Sequence, residues 1–431
     1  MALTYSMLLD ATRDHAAFRR RRRLQPVGGQ GDMVFPPTYP GDGQNSPPRH
    51  VFERRRREGR DEPVWCVLLD SVQSQANRME EALLEAARDG RIVLPRLAVD
   101  FAAAGIGTIG EITSLDAPHR IYDAILRDSL LGGQPFGKSP QGKALKAATP
   151  KDASAILEMS PSSLLFGAWN STGEGGGLGA KFPRAIVSEI IGVDVPVEMA
   201  PRHRRDALPE VQTAARRTGS RMDPLGVVKS VTIYQHKDDH TDWTPDPTLA
   251  AVDKKGAPIK FARNEKNKDA GKPAIINHGN IAPSVQALGV TCAHAEQTVV
   301  ITLAGLRRLR FGKSADGDAA GRALIVALGL VALVEQDARG YSLRSRCDLV
   351  CDDAAPLELV RADGSTEKLE LTRAEALALY AEAVTAAEAA GFALVKVPIT
   401  LTPQDKLVHI VKESMERALS DQGEDTTDTD A

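Results

Sequence analysis

The order of periodic segments predicts an α+β protein. A continuous apolar, β-branched run at residues 64–69 passes directly into a helical pattern at 73–88. A strand pattern at 297–303 precedes the longest apolar run of the chain, bounded by Arg322 and Glu335, inside a helix expected over 318–336. Further strands and a last helix–strand pair follow. Strand, helix, strands, helix, strand is the order of a ferredoxin-like or RNA-recognition sandwich. Such a core needs only about 100 residues, so much of the 431-residue chain is expected as insertions that serve contacts. Hydrophobic residues at 42% and charged residues at 26% exclude wholesale disorder.

Residues 1–62 open with a short helical pattern and then turn rich in Pro, Gly and Arg, as at Gly28-Gly29, Pro36-Pro37 and Pro47-Pro48. This predicts a basic loop or arm, ordered only by something that holds it. The core is expected over 63–420. Its first strand, 64–69, ends at Asp70; along 73–88, Ala76, Met79, Ala82, Leu83 and Ala86 share a face, and Gly90 stops the helix. Ile121, Ala124, Ile125 and Leu126 predict a second amphipathic helix over 119–131. Strands are expected at 185–191 and, from the spacing of Val228, Val231 and Ile233, at 227–234. Residues 235–283 are polar, Lys-rich and punctuated by Pro and Gly. They predict a long functional insertion too poor in apolar residues to bury itself.

The strand at 297–303 leads through the basic run Arg307-Arg308-Leu309-Arg310 into the buried helix. Strands follow at 342–350 and 357–371, the second turning as a hairpin at Asp363-Gly364. An Ala/Glu-rich helix over 372–390 ends at Gly391, and a strand at 395–401 and an amphipathic helix at 405–419 come last. Residues 421–431 are an acidic tail expected to be disordered.

The formal net charge of −3 conceals a division: the tail carries five acids and no base, and without it −3 becomes +2. The bases cluster at Arg13 with Arg19–Arg23, at Arg49 with Arg54–Arg57 and Arg60, between Arg202 and Arg221, and between Lys254 and Lys272. Clustered Lys and Arg are the footprint of a polyanion partner, although each block alone also suits a solvated surface. Aromatic residues are only 4%, sparse for a protein that reads bases mainly by stacking. Four cysteines in this length argue against a disulfide framework. The longest apolar run is too short to span a bilayer. A cytoplasmic protein without a membrane partner is the expectation.

Gly132-Gly133-Gln134-Pro135-Phe136-Gly137-Lys138-Ser139 satisfies the phosphate-loop pattern literally. The mechanism needs a strand before the loop and a helix after it. Here a helix is expected before and an irregular stretch after, which predicts a turn with an exposed Lys138. Glycine density at 173–179 suits a mobile loop or close approach of backbone amides to phosphate, and Lys181 and Arg184 beyond it favour polyanion contact. His236 and His240 with nearby acids, and Cys347 with Cys351, fall short of a four-ligand metal set. No acid–base pair or activated nucleophile is visible, and no cofactor is expected. The junction from Asp70 to Arg78 places Ser71, Gln73, Ser74, Gln75, Asn77 and Arg78 at the start of a helix after a buried strand. Ser71 as N-cap accounts for one of these residues; the set as a whole suits a sugar–phosphate backbone at a helix N-terminus.

The segments Val67–Glu80, Thr113–Arg120, Leu165–Gly173, Lys181–Arg184, Ser220–Pro224 and His278–Ile281 together resemble the backbone subunit of the type I-G (formerly I-U) CRISPR Cascade effector, a family of the RAMP superfamily. The resemblance spans about residues 34–310. It implies a modified RNA-recognition core with insertions forming fingers and a thumb. It implies copies polymerised along a guide crRNA that pairs with target DNA, association with other Cascade subunits and a recruited helicase–nuclease, and no catalysis by this chain. On the matching segments and basic blocks, the expected RNA-binding residues are Ser71, Gln73, Ser74, Gln75, Asn77, Arg78, His119, Arg120, Lys181, Arg184, Arg221 and Lys266. Two other classes compete: an RNA-cleaving relative using Asp116 or Asp70, and a phosphate-loop nucleotidase using Lys138.

Overall fold

The computed structural model describes residues 2–41, 48–170, 179–199, 211–213, 215–262 and 270–421, apart from the side chains of Gln212, Arg221, Glu416 and residues 418–421. The chain divides into two compact units, Met1–Ala214 with Gly289–His409, and Ala215–Leu288 with Ile410–Ala431.

In the first unit, nine antiparallel strands form a curled half-barrel sheet. They are β1 (Ala17–Pro26), β2 (Phe52–Arg55), β3 (Val64–Asp70), β4 (Ile186–Val193), β5 (His294–Thr302), β6 (Tyr341–Arg344), β7 (Cys347–Cys351), β8 (Leu357–Val360) and β9 (Thr366–Leu369). Their order is β6-β7-β1-β5-β4-β3-β2, with β8 also on β1 and β9 on β8. The helices α1 (Tyr5–Asp14), α2 (Val72–Arg88), α3 (Ala315–Arg339) and α4 (Arg373–Ala389) accompany it. In chain order, β1, α2, β4, β5, α3 and β7 make β-α-β-β-α-β, and these four strands lie in the order fourth, first, third, second. That is the ferredoxin-like arrangement expected from the sequence, extended at one edge by β3 and β2. Helix α3 packs against α1, α2 and α4 and is the core of the unit: it is long and apolar enough to cross a membrane, and its apolar stretch is buried throughout.

The basic stretch expected as a loose arm is instead the first central strand of this fold. Strand alternation sends Phe18, Arg20 and Leu24 inward, and all three are buried. Asp337 on α3 neutralises Arg20, with Oδ2 2.5 Å from Nη1, and Arg22, with Oδ2 2.7 Å from Nη1. On the opposite face Arg19 pairs with Glu358 at 2.7 Å, and Arg21 is exposed. The core of the first unit therefore begins ahead of residue 63: it includes β1 and, before it, α1, whose Leu8 and Ala11 are buried.

The continuous helix expected over 119–131 is broken into a 3-10 turn (Arg120–Tyr122), one helical turn (Ala124–Arg127) and a short strand (Ser129–Leu131). Arg120 adopts φ +52°, outside any right-handed helix, and Asp123 recaps the chain by accepting from the Ile125 N–H. The strand joins a second sheet in the order Glu111–Thr113, Leu97–Asp100, Ile399–Pro403, Ser129–Leu131, Gln134–Pro135.

In the second unit, Arg217–Arg221 pairs with Ile281–Gln286, and Tyr234–Gln235 with Trp243–Thr244. The strand expected at 227–234 is absent except for its last residue, because a turn joins Val228 to Val231 and leaves both exposed. The polar insertion expected at 235–283 lies inside this unit. It carries more core than its composition suggests, with Phe261 and Ile275 buried together with Ile233.

Candidate nucleic-acid interface

The polar junction at the start of α2 is mostly turned inward. Ser71 is its N-cap, accepting from the Ser74 N–H at 3.2 Å. Asp70 is fully buried and accepts from Ser74 Oγ (2.8 Å), Gln75 Nε2 (2.6 Å), Arg78 Nε (2.9 Å) and Arg344 Nη2 (3.1 Å). Gln75 is also fully buried, and its Oε1 accepts from Ser188, Gln297 and Gln336. Arg78 further donates to the carbonyls of Ser342 and Leu343 on β6. Four of the six expected contacts are thus parts of a core network in which a buried carboxylate draws its donors inward. Gln73 and Asn77 are the exceptions. They are exposed, one helical turn apart on one side of α2.

The expected residues His119, Arg120, Lys181 and Arg184 do come together. They line one open cleft of about 240 Å³, with Phe166, Gly167 and Trp169. Two short strands build its wall, Ala168–Trp169 against Lys181–Phe182, so that Trp169 and Lys181 are direct cross-strand partners. Ala168 and Phe182 alternate inward and are buried. Trp169 stays 49% exposed, and Lys181 Nζ lies 5.5 Å from its ring centroid. Gly167 sits at φ +88°, and a Cβ there would come within 3.0 Å of the Arg184 backbone N. Only glycine lets the chain pass this close.

The cations differ in how far they are committed. Arg120 donates Nε and Nη2 to Glu80 (2.6 and 2.8 Å) and Nη1 to the Gly167 carbonyl (2.9 Å). Arg184 commits only Nε, to the Phe166 carbonyl at 3.3 Å. Burial lowers the Arg184 pKa, and neighbouring Arg120 pushes the same way while Glu80 opposes. Among the described residues, the terminal nitrogens of Arg184 and the exposed imidazole of His119 have no hydrogen-bond partner. Counting Glu80 as ionised, the three bases Arg120, Lys181 and Arg184 leave a net +2. The cleft offers free N–H donors, positive charge and one open aromatic face, a set that holds sugar–phosphate and a base plane.

The phosphate-loop pattern has a different context from the one expected. A strand (Ser129–Leu131) does precede it and a helix (Pro140–Ala147) does follow. Gly132 and Gly133, both at positive φ, form a two-residue hairpin turn between Ser129–Leu131 and Gln134–Pro135. Ser139 is buried as the N-cap, accepting from Gly142 N–H and donating to the Phe136 carbonyl. The hydroxyl a magnesium ion would need is consumed by capping. No group of three or more metal-ligating side chains is present among the described residues. Lys266, the Arg221 side chain and glycines 173–177 lie outside the described residues.

Sequence reasoning missed Trp169, Glu80 and Gly167. A tryptophan amid Ala, Asn, Ser and Gly, outside any periodic segment, is the trace that marked an exposed ring.

The fold and cleft define a ferredoxin-like α+β protein with a basic, aromatic-edged surface site. Residues 18–197, from β1 through β4 and including the whole cleft, match the family described as CRISPR-associated protein GSU0053. No curated protein matches the chain.

Proposed function

We propose that this chain is a non-catalytic guide-RNA-binding subunit. It polymerises along a crRNA as the backbone of a type I-G Cascade complex of the RAMP superfamily and presents the guide for pairing with target DNA. The observation that carries the reading is the cleft: His119, Arg120, Lys181 and Arg184 converge around an open aromatic wall within the CRISPR-associated match. Donors of this kind hold a nucleic-acid backbone without reading its sequence, which suits a complex whose specificity comes from base pairing. The absence of catalysis is supported by Asp70, which is buried beneath two arginines and has no access to a phosphodiester. Further copies, other Cascade subunits and a helicase–nuclease are the partners this role requires.

The test is assembly with repeat-derived RNA. Full-length protein mixed with such RNA should form regular filaments, while the protein alone should not. Binding should weaken steeply with salt, about −0.7 in log K per log salt for each phosphate held. Salt-independent binding, or magnesium-dependent cutting of a complementary RNA, would overturn the reading.

A further inference from the structure

Arg120 lines the cleft, yet its guanidinium is committed to the protein. Nε and Nη2 close on the two carboxylate oxygens of Glu80, and Nη1 meets the Gly167 carbonyl. The Arg120 side chain is 11% exposed and that of Glu80 2%. A carboxylate set directly behind a cation site subtracts one charge from it, and burial makes its ionised form costly. We propose that Glu80 is a positioning residue whose protonation state sets how much of Arg120 the cleft offers to an RNA phosphate: ionised, it holds Arg120 as a counter-ion, and protonated, it yields Arg120 to the backbone.

The surroundings of Glu80 support this. One turn away along α2, Ala76, Leu83 and Leu84 are buried and apolar, and Asn77 carries no charge. The charged groups that face Glu80 from other segments are Arg120 and Asp116 on one side and Arg184 on the other. Burial raises the Glu80 pKa to about 7, Arg120 and Arg184 oppose the rise, and Asp116 adds to it. Asp116 is itself held by the Thr113 N–H and hydroxyl. A protonated carboxyl oxygen is a poor acceptor, so protonation opens one prong of the fork. The cleft then presents the full charge of Arg120, Lys181 and Arg184, +3 in place of +2. A phosphate arriving at Arg184 brings a like charge towards Glu80, which favours the proton. RNA binding should therefore take a proton from solvent onto Glu80, and by the same coupling affinity should rise as pH falls through about 7.

This inference rests on the RNA-binding reading, and the test separates the two. Full-length protein is titrated with a repeat-derived single-stranded RNA at constant ionic strength near pH 8 and near pH 6, and by calorimetry near pH 7 in two buffers of different ionisation heat. Wild type should bind about three- to thirtyfold more tightly at the lower pH, the range for one unit charge several ångströms from a phosphate at a protein surface. It should also take up protons on binding. An imidazole is the other side chain that changes charge in this window, so both measurements are repeated in His119→Gln, where the proton uptake should persist. Glu80→Gln on that background should bind near pH 8 as tightly as His119→Gln alone binds near pH 6, with no proton uptake. Equal wild-type affinity at both pH values, proton uptake abolished by His119→Gln, or a Glu80→Gln variant that binds more weakly at every pH overturns the inference while leaving backbone binding intact. Should Glu80→Gln fail to fold, the calorimetry of His119→Gln still decides. If the RNA binds wild type at neither pH, the RNA-binding reading itself fails.

Discussion

Arg120 closes a two-pronged fork on Glu80 at the back of the cleft, with Nε 2.6 Å from Oε1 and Nη2 2.8 Å from Oε2. The Glu80 side chain is only 2% exposed. Burial pushes its pKa up to about 7, against the opposing hydrogen bonds and charge of Arg120 and the charge of Arg184. Arg120 is itself held at φ +52°, a conformation that costs an ordinary residue about 1–2 kcal/mol. Its three hydrogen bonds over-determine the strained backbone, as is common where a side chain must be aimed.

The fork gives stability a pH dependence with a defined sign. Glu80 titrates near 4.5 when unfolded and near 7 when folded. The folded state therefore holds the extra proton between those values, and the contribution of Glu80 declines as pH rises from about 4.5 to about 7, then levels. The Tm difference between wild type and Glu80→Gln, followed from pH 4.5 to 8.5, should shift against wild type up to pH 7 and then flatten. A constant difference across this window would show the carboxylate ionised throughout.

Arg78 is expected to act on stability rather than on RNA. It meets buried Asp70 at 2.9 Å and ties α2 to two carbonyls of β6. Arg78→Ala removes one of two arginines from a carboxylate with no exposure and should cost about 2–3 kcal/mol, since Arg344 remains. Thermal melts should register the loss, while RNA affinity of the folded variant stays within about twofold of wild type. A normal melt with weakened RNA binding would return Arg78 to the interface.

The same pair shows where the sequence was readable. The segments β3, α2, β5 and α3 announced themselves because each is an uninterrupted periodic run, with Gly90 closing α2 at φ +72°. Strand β1 did not, because five consecutive arginines mask the alternation of Phe18, Arg20 and Leu24, and the acid that neutralises Arg20 lies 317 residues away. The polar run after Asp70 misled for the same reason. Its partners, Ser188, Gln297, Gln336 and Arg344, sit on other elements, so a buried network and a phosphate site look alike in one dimension. Four cleft residues were readable as polar or basic residues in matching segments. Trp169 and Glu80 required knowledge of which two-residue strands pair and which helix face turns inward.

Gly167 tests whether the cleft wall tolerates rearrangement. At φ +88°, a Cβ would lie 3.0 Å from the Arg184 N and 3.2 Å from the Phe182 carbonyl oxygen. Gly167→Ala should destabilise by about 1–3 kcal/mol through its backbone alone. It should also displace Arg184 and weaken RNA binding in protein that is still folded at 20 °C. Unchanged affinity would place the phosphate contacts away from this wall.

Arg184 offers the sharpest test of how the cleft is used. Its Nε is occupied by the Phe166 carbonyl, whereas its terminal nitrogens are free among the described residues. If they hold one phosphate, Arg184→Ala removes a single counterion-release event. The slope of log K against log salt should then become shallower by about 0.7, and affinity should fall by a similar factor for every RNA sequence. Arg21 provides the control. It is exposed on the sheet face and outside the cleft, so Arg21→Ala should leave the slope unchanged unless that face also carries RNA. Because Arg184 makes one long carbonyl contact and, among the described residues, no salt bridge, its loss should lower Tm little, which keeps the binding result free of unfolding. A slope that stays fixed while affinity drops for one base sequence only would mean that Arg184 reads a base edge and not the backbone.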